Sequence, residues 1–178
     1  GDPRSLWDNL EVRLWWLLLA GATAAVFFDH SLRAGGAGDV EETFRTSLFQ
    51  VVSIGTTTGY ATKDIGGAFF PSLAQQIFLI LMLIGGCVGS TGGGIKVMRI
   101  GVLWKMVKRQ IHRFVSGRRT VNLLLVDGER IELEEVRRIA ALFFAWIVLL
   151  AVGGAVTAIL STHGPMASAS GMFSALGN

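Results

Sequence analysis

Residues Phe49 to Thr62 read FQVVSIGTTTGYAT. Three consecutive threonines, a glycine and a tyrosine close a stretch that carries no charge for 17 residues after Arg45. A helix crossing a hydrocarbon core about 30 Å thick needs roughly 20 residues. The stretch is therefore short for a complete crossing, yet too apolar at its start for a surface loop. A hydroxyl-rich turn between helices would account for TTTGY alone, so the meaning of the run depends on what flanks it.

The flanks are membrane-like. The chain has 178 residues, 51% hydrophobic and 16% charged, against about 25% charge in soluble domains. Charge is missing altogether from Leu14 to Phe28, from Ile65 to Ile95 and from Ile139 to Thr162. One charge at mid-bilayer costs about 3 kcal/mol on insertion scales, so gaps of this kind mark spans. The first span is expected over about 10–28, the second over about 71–115 and the third over about 139–160. Trp15 and Trp16 are expected at the inner interface of the first span.

Eleven of the 16 Lys and Arg residues fall between Lys96 and Arg138. The positive-inside rule puts this segment in the cytoplasm. Attraction to anionic lipid headgroups suits it better than nucleic acid, because it lies between spans with few interleaved aromatics. With that segment inside, the first span runs outward, Asp29 to Glu42 lies outside with a turn at Gly35, Gly36 and Gly38, and the second span returns from near Pro71. Val40 to Thr62 must then enter and leave on the outer side. A dipping segment is allowed only where its backbone is buried in protein or lines a water-filled cavity. Helix, dipping hairpin, helix is the layout of an ion pore.

Within that hairpin Glu41 to Ile54 is expected to be a short helix, with Phe44, Leu48, Val51 and Val52 at helical spacing. Asp39 is placed to cap it, with Glu42 three residues on as the second half of a capping box. Its negative C-terminal end would point into the membrane and favour a desolvated cation. The oxygens that replace the cation's water would come from Thr56, Thr57, Thr58, Gly59 and Tyr60, as main-chain carbonyls supplemented by hydroxyls. Glycine supplies the unusual dihedrals such a strand needs.

The run FQVVSIGTTTGYAT resembles the pore segment of the Trk/Ktr/HKT superfamily of potassium transporters, and it is similar to the TVGYG filter of potassium channels. Ala61 stands where channels carry a second glycine. A single filter glycine per repeat is the superfamily's pattern and disfavours a tetrameric channel.

Gly85 to Gly94 holds six glycines in ten residues inside the second span. Each costs about 1 kcal/mol relative to alanine in a helix interior, so the helix is expected to break here and resume near Ile95. Gly89 to Lys96 approaches a phosphate-binding loop, but it lacks the adjacent glycine, lysine and hydroxyl order and no strand precedes it. Helix packing through small residues is the plainer alternative. The run GGCVGSTGGGIKVMR resembles the broken second helix of the third repeat in Trk-type subunits. By that resemblance Gly85, Gly86, Gly89, Ser90, Thr91, Gly92, Gly93 and Gly94 form an intramembrane gating loop, with Lys96 and Arg99 anchoring its cytoplasmic end.

Val97 to Val115 is expected as a basic helix leaving the membrane, its long side chains snorkelling. Asp127-Gly128 within VNLLLVDGERIEL signals a β-hairpin. Met166 to Phe173 looks like a second pore helix. FSALGN resembles the start of the fourth repeat's filter, so Ala175, Leu176, Gly177 and Asn178 are expected as a partial second filter. The chain begins at Gly1 rather than Met and is expected to be an internal piece of a longer protein.

The expectation is an all-α integral membrane fold. Residues 1–115 form one M1–P–M2 repeat with a re-entrant pore loop (pore helix and filter about 40–62) and a broken second helix. Residues 116–138 form a cytoplasmic linker, and 139–178 the first span and partial pore loop of the next repeat. The resemblance implies potassium uptake across the inner (cytoplasmic) membrane through a pseudo-fourfold pore, with the remaining repeats of the same polypeptide, a homodimeric assembly and a soluble nucleotide-binding regulatory subunit (TrkA/KtrA-like) as partners. Cys87 is the single cysteine, and His30, His112 and His163 lie in different segments. No metal site beyond transported potassium, no cofactor and no enzymatic chemistry are expected, and Ser53, Ser90 and Thr91 read as structural. The rivals are a two-span channel subunit that tetramerises and a non-conducting scaffold.

Overall fold

The computed structural model describes residues 9–33, 39–90, 92–116, 125–126, 129–130, 132–160 and 165–177. Gly35, Gly36, Gly38, Thr91, Asp127, Gly128 and Asn178, all singled out above, lie outside the described residues.

Helix α1 spans Leu10–Arg33. Asn9 opens it, its Oδ1 accepting the Glu11 N–H at 2.8 Å. The helix runs on past Phe28, because the charges there are used locally. Arg33 Nε donates to Asp29 Oδ1 at 3.0 Å one turn back, and Ser31 donates to the Phe27 carbonyl at 2.8 Å. Trp15 turns inward, within packing distance of Gly55, while Trp16 is exposed.

Helix α2 spans Val40–Gly55 and is capped by Asp39, whose Oδ1 accepts from Glu41 N at 3.0 Å. The expected second half of the capping box does not form. Glu42 pairs instead with Lys63 at 3.0 Å, tying the start of α2 to the segment that follows Tyr60. The expected apolar stripe is also corrected. Val51 is fully buried, but Phe44, Leu48 and Val52 face outward. The inward stripe is Thr43, Thr46, Ser47, Gln50, Ser53 and Ile54. Small polar side chains let helices approach closely where dispersion, rather than water exclusion, is the driving force.

The second charge-free stretch is not one helix. Helix α3, Ser72–Leu83, has 12 residues, about 18 Å at 1.5 Å per residue. Pro71 cannot cap it by side chain, and Asp29 from α1 takes that role, its Oδ2 accepting Ala74 N at 3.3 Å. A two-residue strand β1, Ile84–Gly85, then pairs in parallel with β2, Ile95–Lys96, in the register Ile84 to Ile95 and Gly85 to Lys96. Helix α4, Val97–Ser116, follows directly, two residues later than the expected resumption. Strands β3, Leu125–Val126, and β4, Glu129–Arg130, pair antiparallel. Helix α5 covers Leu133–Leu160 and α6 Pro165–Gly177.

The main core joins α1, α2 and α3 through Val26, Val51, Phe70, Ala74, Phe78 and Leu81. Phe70 and Phe78 meet edge to face at 5.1 Å. Helix α4 crosses the foot of α1 at Gly101, where a Cβ would come within 2.7 Å of Leu14. Val102 and Val136 join α4 to α5. Helix α6 folds back with Met172 over Gly153 and with Gly177 against the Met82 carbonyl. Helices α1 and α5 are long and apolar enough to cross a membrane. Helix α5 exposes Leu142, Phe144, Val148, Val152 and Ile159, a continuous apolar surface that water does not tolerate well.

Candidate functional site

The Thr56–Tyr60 strand hangs from the end of α2. Thr56 N donates to Val52 O at 2.9 Å, Thr57 N to Ile54 O at 3.0 Å, Thr58 N to Ser53 O at 2.9 Å and Gly59 N to Ser53 O at 3.2 Å. Four consecutive N–H groups thus face the helix and use the carbonyls its last turn leaves unpaired. None of the peptide bonds among the described residues is cis. A trans peptide holds its C=O opposite its N–H, so the carbonyls of Gly55, Thr56, Thr57 and Thr58 face away from the helix end. Such a row can replace the water of a cation.

Backbone strain is concentrated in the same strand. Thr57 has φ 58° and Gly59 φ 78°. A β-branched residue in the left-handed region costs about 1–3 kcal/mol and persists only where its surroundings impose it. The hydroxyls of Thr56 and Thr58 are tied into local hydrogen bonds. Thr56 Oγ1 donates to Val52 O at 2.7 Å and lies 2.8 Å from Thr58 Oγ1. Because Thr56 has one hydroxyl proton, Thr58 is the donor in that pair. Tyr60 differs from the threonines. Its carbonyl accepts Ser53 Oγ at 2.6 Å and so turns back toward α2, while its ring is 70% exposed.

The glycine-rich loop sits against this strand. A Cβ on Gly92 would meet Thr57 Cγ2 at 3.3 Å and Oγ1 at 3.4 Å. Lys96 Nζ donates to Ser90 O and Ser90 Oγ, each at 3.0 Å, and to Gly92 O. Arg99 is exposed and has no hydrogen bond or ion pair among the described residues, so of the two expected anchors Lys96 alone grips the loop. Gly85 packs under Gly93, whose carbonyl oxygen occupies the place a Cβ would take. Gly94, at φ 69°, donates its N–H to Leu176 O at 3.2 Å. Gly86 accepts a long 3.5 Å bond from Val97 N, and Gly89 has φ 87° with open space around it.

A family profile described as TrkH, cation transport protein, matches residues 3–178. The chain belongs to the TrkH family. Relatives in the TrkH family include the Trk system potassium uptake protein TrkH of Vibrio parahaemolyticus, 37% identical over 84% of this chain and 30% of that protein. The Trk system potassium uptake protein TrkG of Escherichia coli is 30% identical over 78% of this chain and 27% of its own length. The crystal structure of the potassium transporter TrkH from Vibrio parahaemolyticus superposes with a TM-score of 0.84 at 28% identity, covering 98% of this chain and 37% of that one. The chain therefore spans about a third of the length of these TrkH-family proteins.

Two features of this TrkH-family chain depart from the sequence reading or escape it. Ala175, Leu176 and Gly177 are helical, the last turn of α6, and not a filter strand. The register explains the correction: Leu176-Gly177 corresponds to Ile54-Gly55, the last two residues of α2. The second feature is Glu11, which no motif singles out. Its Oε1 accepts Val88 N at 2.6 Å, so the foot of α1 holds the glycine-rich loop. A charge at the start of an apolar helix reads as a span boundary, and nothing local shows that it reaches 77 residues along the chain.

Proposed function

We propose that this chain forms the third M1–P–M2 repeat and the start of the fourth in a pseudo-fourfold potassium-uptake pore of the inner membrane. Residues 1–115 are the repeat, 116–138 a cytoplasmic linker and 139–178 the next span and pore helix. The observation that carries the reading is the row of carbonyls from Gly55 to Thr58, freed by four N–H groups that all bind the end of α2. Potassium sheds its water against this row, and three further repeats of the same polypeptide complete the ring. Tyr60 closes the outer end as a strut rather than through its carbonyl. Gly85 to Gly94 gates the pore from below, since Gly92 abuts Thr57 and Lys96 ties the loop at its cytoplasmic end. The basic α4 faces cytoplasmic lipid, the assembly is a homodimer, and a soluble nucleotide-binding subunit of the TrkA/KtrA type docks on the cytoplasmic side.

The test is rubidium uptake in cells lacking their own potassium importers, comparing the complete protein with Gly59→Ser at matched membrane expression. A Cβ at Gly59 meets no atom within 4 Å. Within this chain the substitution therefore acts through φ, at about 1–2 kcal/mol. Uptake whose potassium-over-sodium preference changes in the variant is the expected result. No uptake, or unchanged preference in Gly59→Ser, overturns the filter assignment.

A further inference from the structure

Ser53 lies in the last turn of α2, 5% exposed. Sequence reading gives it no role beyond packing. In the fold it holds the conducting strand at two levels. Its carbonyl takes the N–H groups of Thr58 and Gly59 at 2.9 and 3.2 Å. Its hydroxyl donates to Tyr60 O at 2.6 Å. One residue thus fixes the middle and the outer end of the strand to the same helical turn.

We propose that Ser53 is a positioning residue for ion selectivity: its hydroxyl withdraws the Tyr60 carbonyl from the ion path and so sets where the carbonyl row ends. This rests on the pore reading above. Within this chain the Tyr60 ring is largely exposed, and the contact that holds the strut is the main-chain carbonyl that Ser53 grips. Ala61, without the freedom of a second glycine, follows immediately. Once the hydroxyl is lost, the Tyr60 peptide is free to rotate, the outer oxygens lose their fixed spacing, and a cage matched to potassium accepts sodium more readily. The helical register between α2 and α6 places Ala175 where α2 has Ser53. The α6 position has no hydroxyl, so this tether belongs to the strand that follows α2 and not to the pore helix scaffold in general.

The experiment measures potassium-over-sodium preference, from rubidium and sodium fluxes in the same vesicles, for the complete protein and for Ser53→Ala, Ser53→Thr and Ser53→Cys. A flux ratio is independent of how much protein reaches the membrane. Ser53→Ala is expected to lower the preference about fivefold, the scale of one buried hydrogen bond. Ser53→Thr, which keeps the hydroxyl, is expected to restore it, and Ser53→Cys, of similar size but a weak donor, to fall between. Should Ser53→Ala fail to reach the membrane, the Thr and Cys variants decide: equal preference in both overturns the tether. Gly59→Ser in the same series separates the two claims. If it alters preference while all three Ser53 variants match the parent, the tether is wrong and the filter stands. If it leaves preference unchanged, the filter assignment itself falls and takes the tether with it.

Discussion

At Gly85 a methyl group has nowhere to go, because its place is taken by the carbonyl oxygen of Gly93. At Gly154, toward the end of α5, the same methyl meets nothing within 4 Å. Gly85→Ala is expected to cost about 1–3 kcal/mol, the usual penalty for overpacking, and Gly154→Ala to be neutral or mildly stabilising. Thermal unfolding of the two purified variants, side by side, checks this. Equal stability would mean that the loop does not close on Gly85 as described. The run of six glycines announces a break to any reader of the sequence. Which of them is sterically obligatory is not legible there, since it depends on a carbonyl eight residues further on. The same limit applies to Thr57. Its left-handed backbone is unusual for a β-branched residue, and only the hydrogen bonds returning to α2 explain it.

At the scale of elements, the foot of α1 and the glycine-rich loop are joined by the bond from Val88 N to Glu11. Glu11→Gln keeps the shape and an acceptor oxygen but removes the charge that strengthens the bond. In the complete protein the variant is expected to raise basal rubidium leak severalfold without changing potassium-over-sodium preference, since the strand at Thr56–Tyr60 is untouched. Parent-like leak would show that this bond does not restrain the loop. The helices themselves were largely foreseeable from charge gaps and helical spacing, to within a residue at each end for α2 and α4, while α5 begins at Leu133, ahead of the charge-free stretch. The errors have physical causes. A charge-free stretch reports depth in a membrane and not helical continuity, which is why Ile65 to Ile95 holds only a 12-residue helix. The inward face of α2 runs against its sequence pattern because polarity normally marks the outside. Here Thr43, Ser47 and Gln50 are buried, and the phenylalanines face outward.

At the scale of the whole molecule, the positive-inside rule applied to the basic stretch between Lys96 and Arg138 predicts a cytoplasmic α4. In a Cys87→Ser background, Lys108→Cys on α4 is expected to react with a membrane-impermeant thiol reagent in inside-out vesicles and not in intact cells. Labelling from the outside would invert every span. The order of the helices was legible in the sequence; how they grip one another was not. Asp29 reaching Ala74, and Gly177 seated on Met82, join residues from different helices and leave no local pattern. The parallel pairing of Ile84 with Ile95 and of Gly85 with Lys96 brings the two ends of the glycine-rich segment side by side. Helices α3 and α4 thereby meet almost as if the intervening residues were absent. The joint between α3 and α4 is therefore carried by the strand pair itself, and the loop can be released at Glu11, Lys96 or Leu176 without parting the two helices.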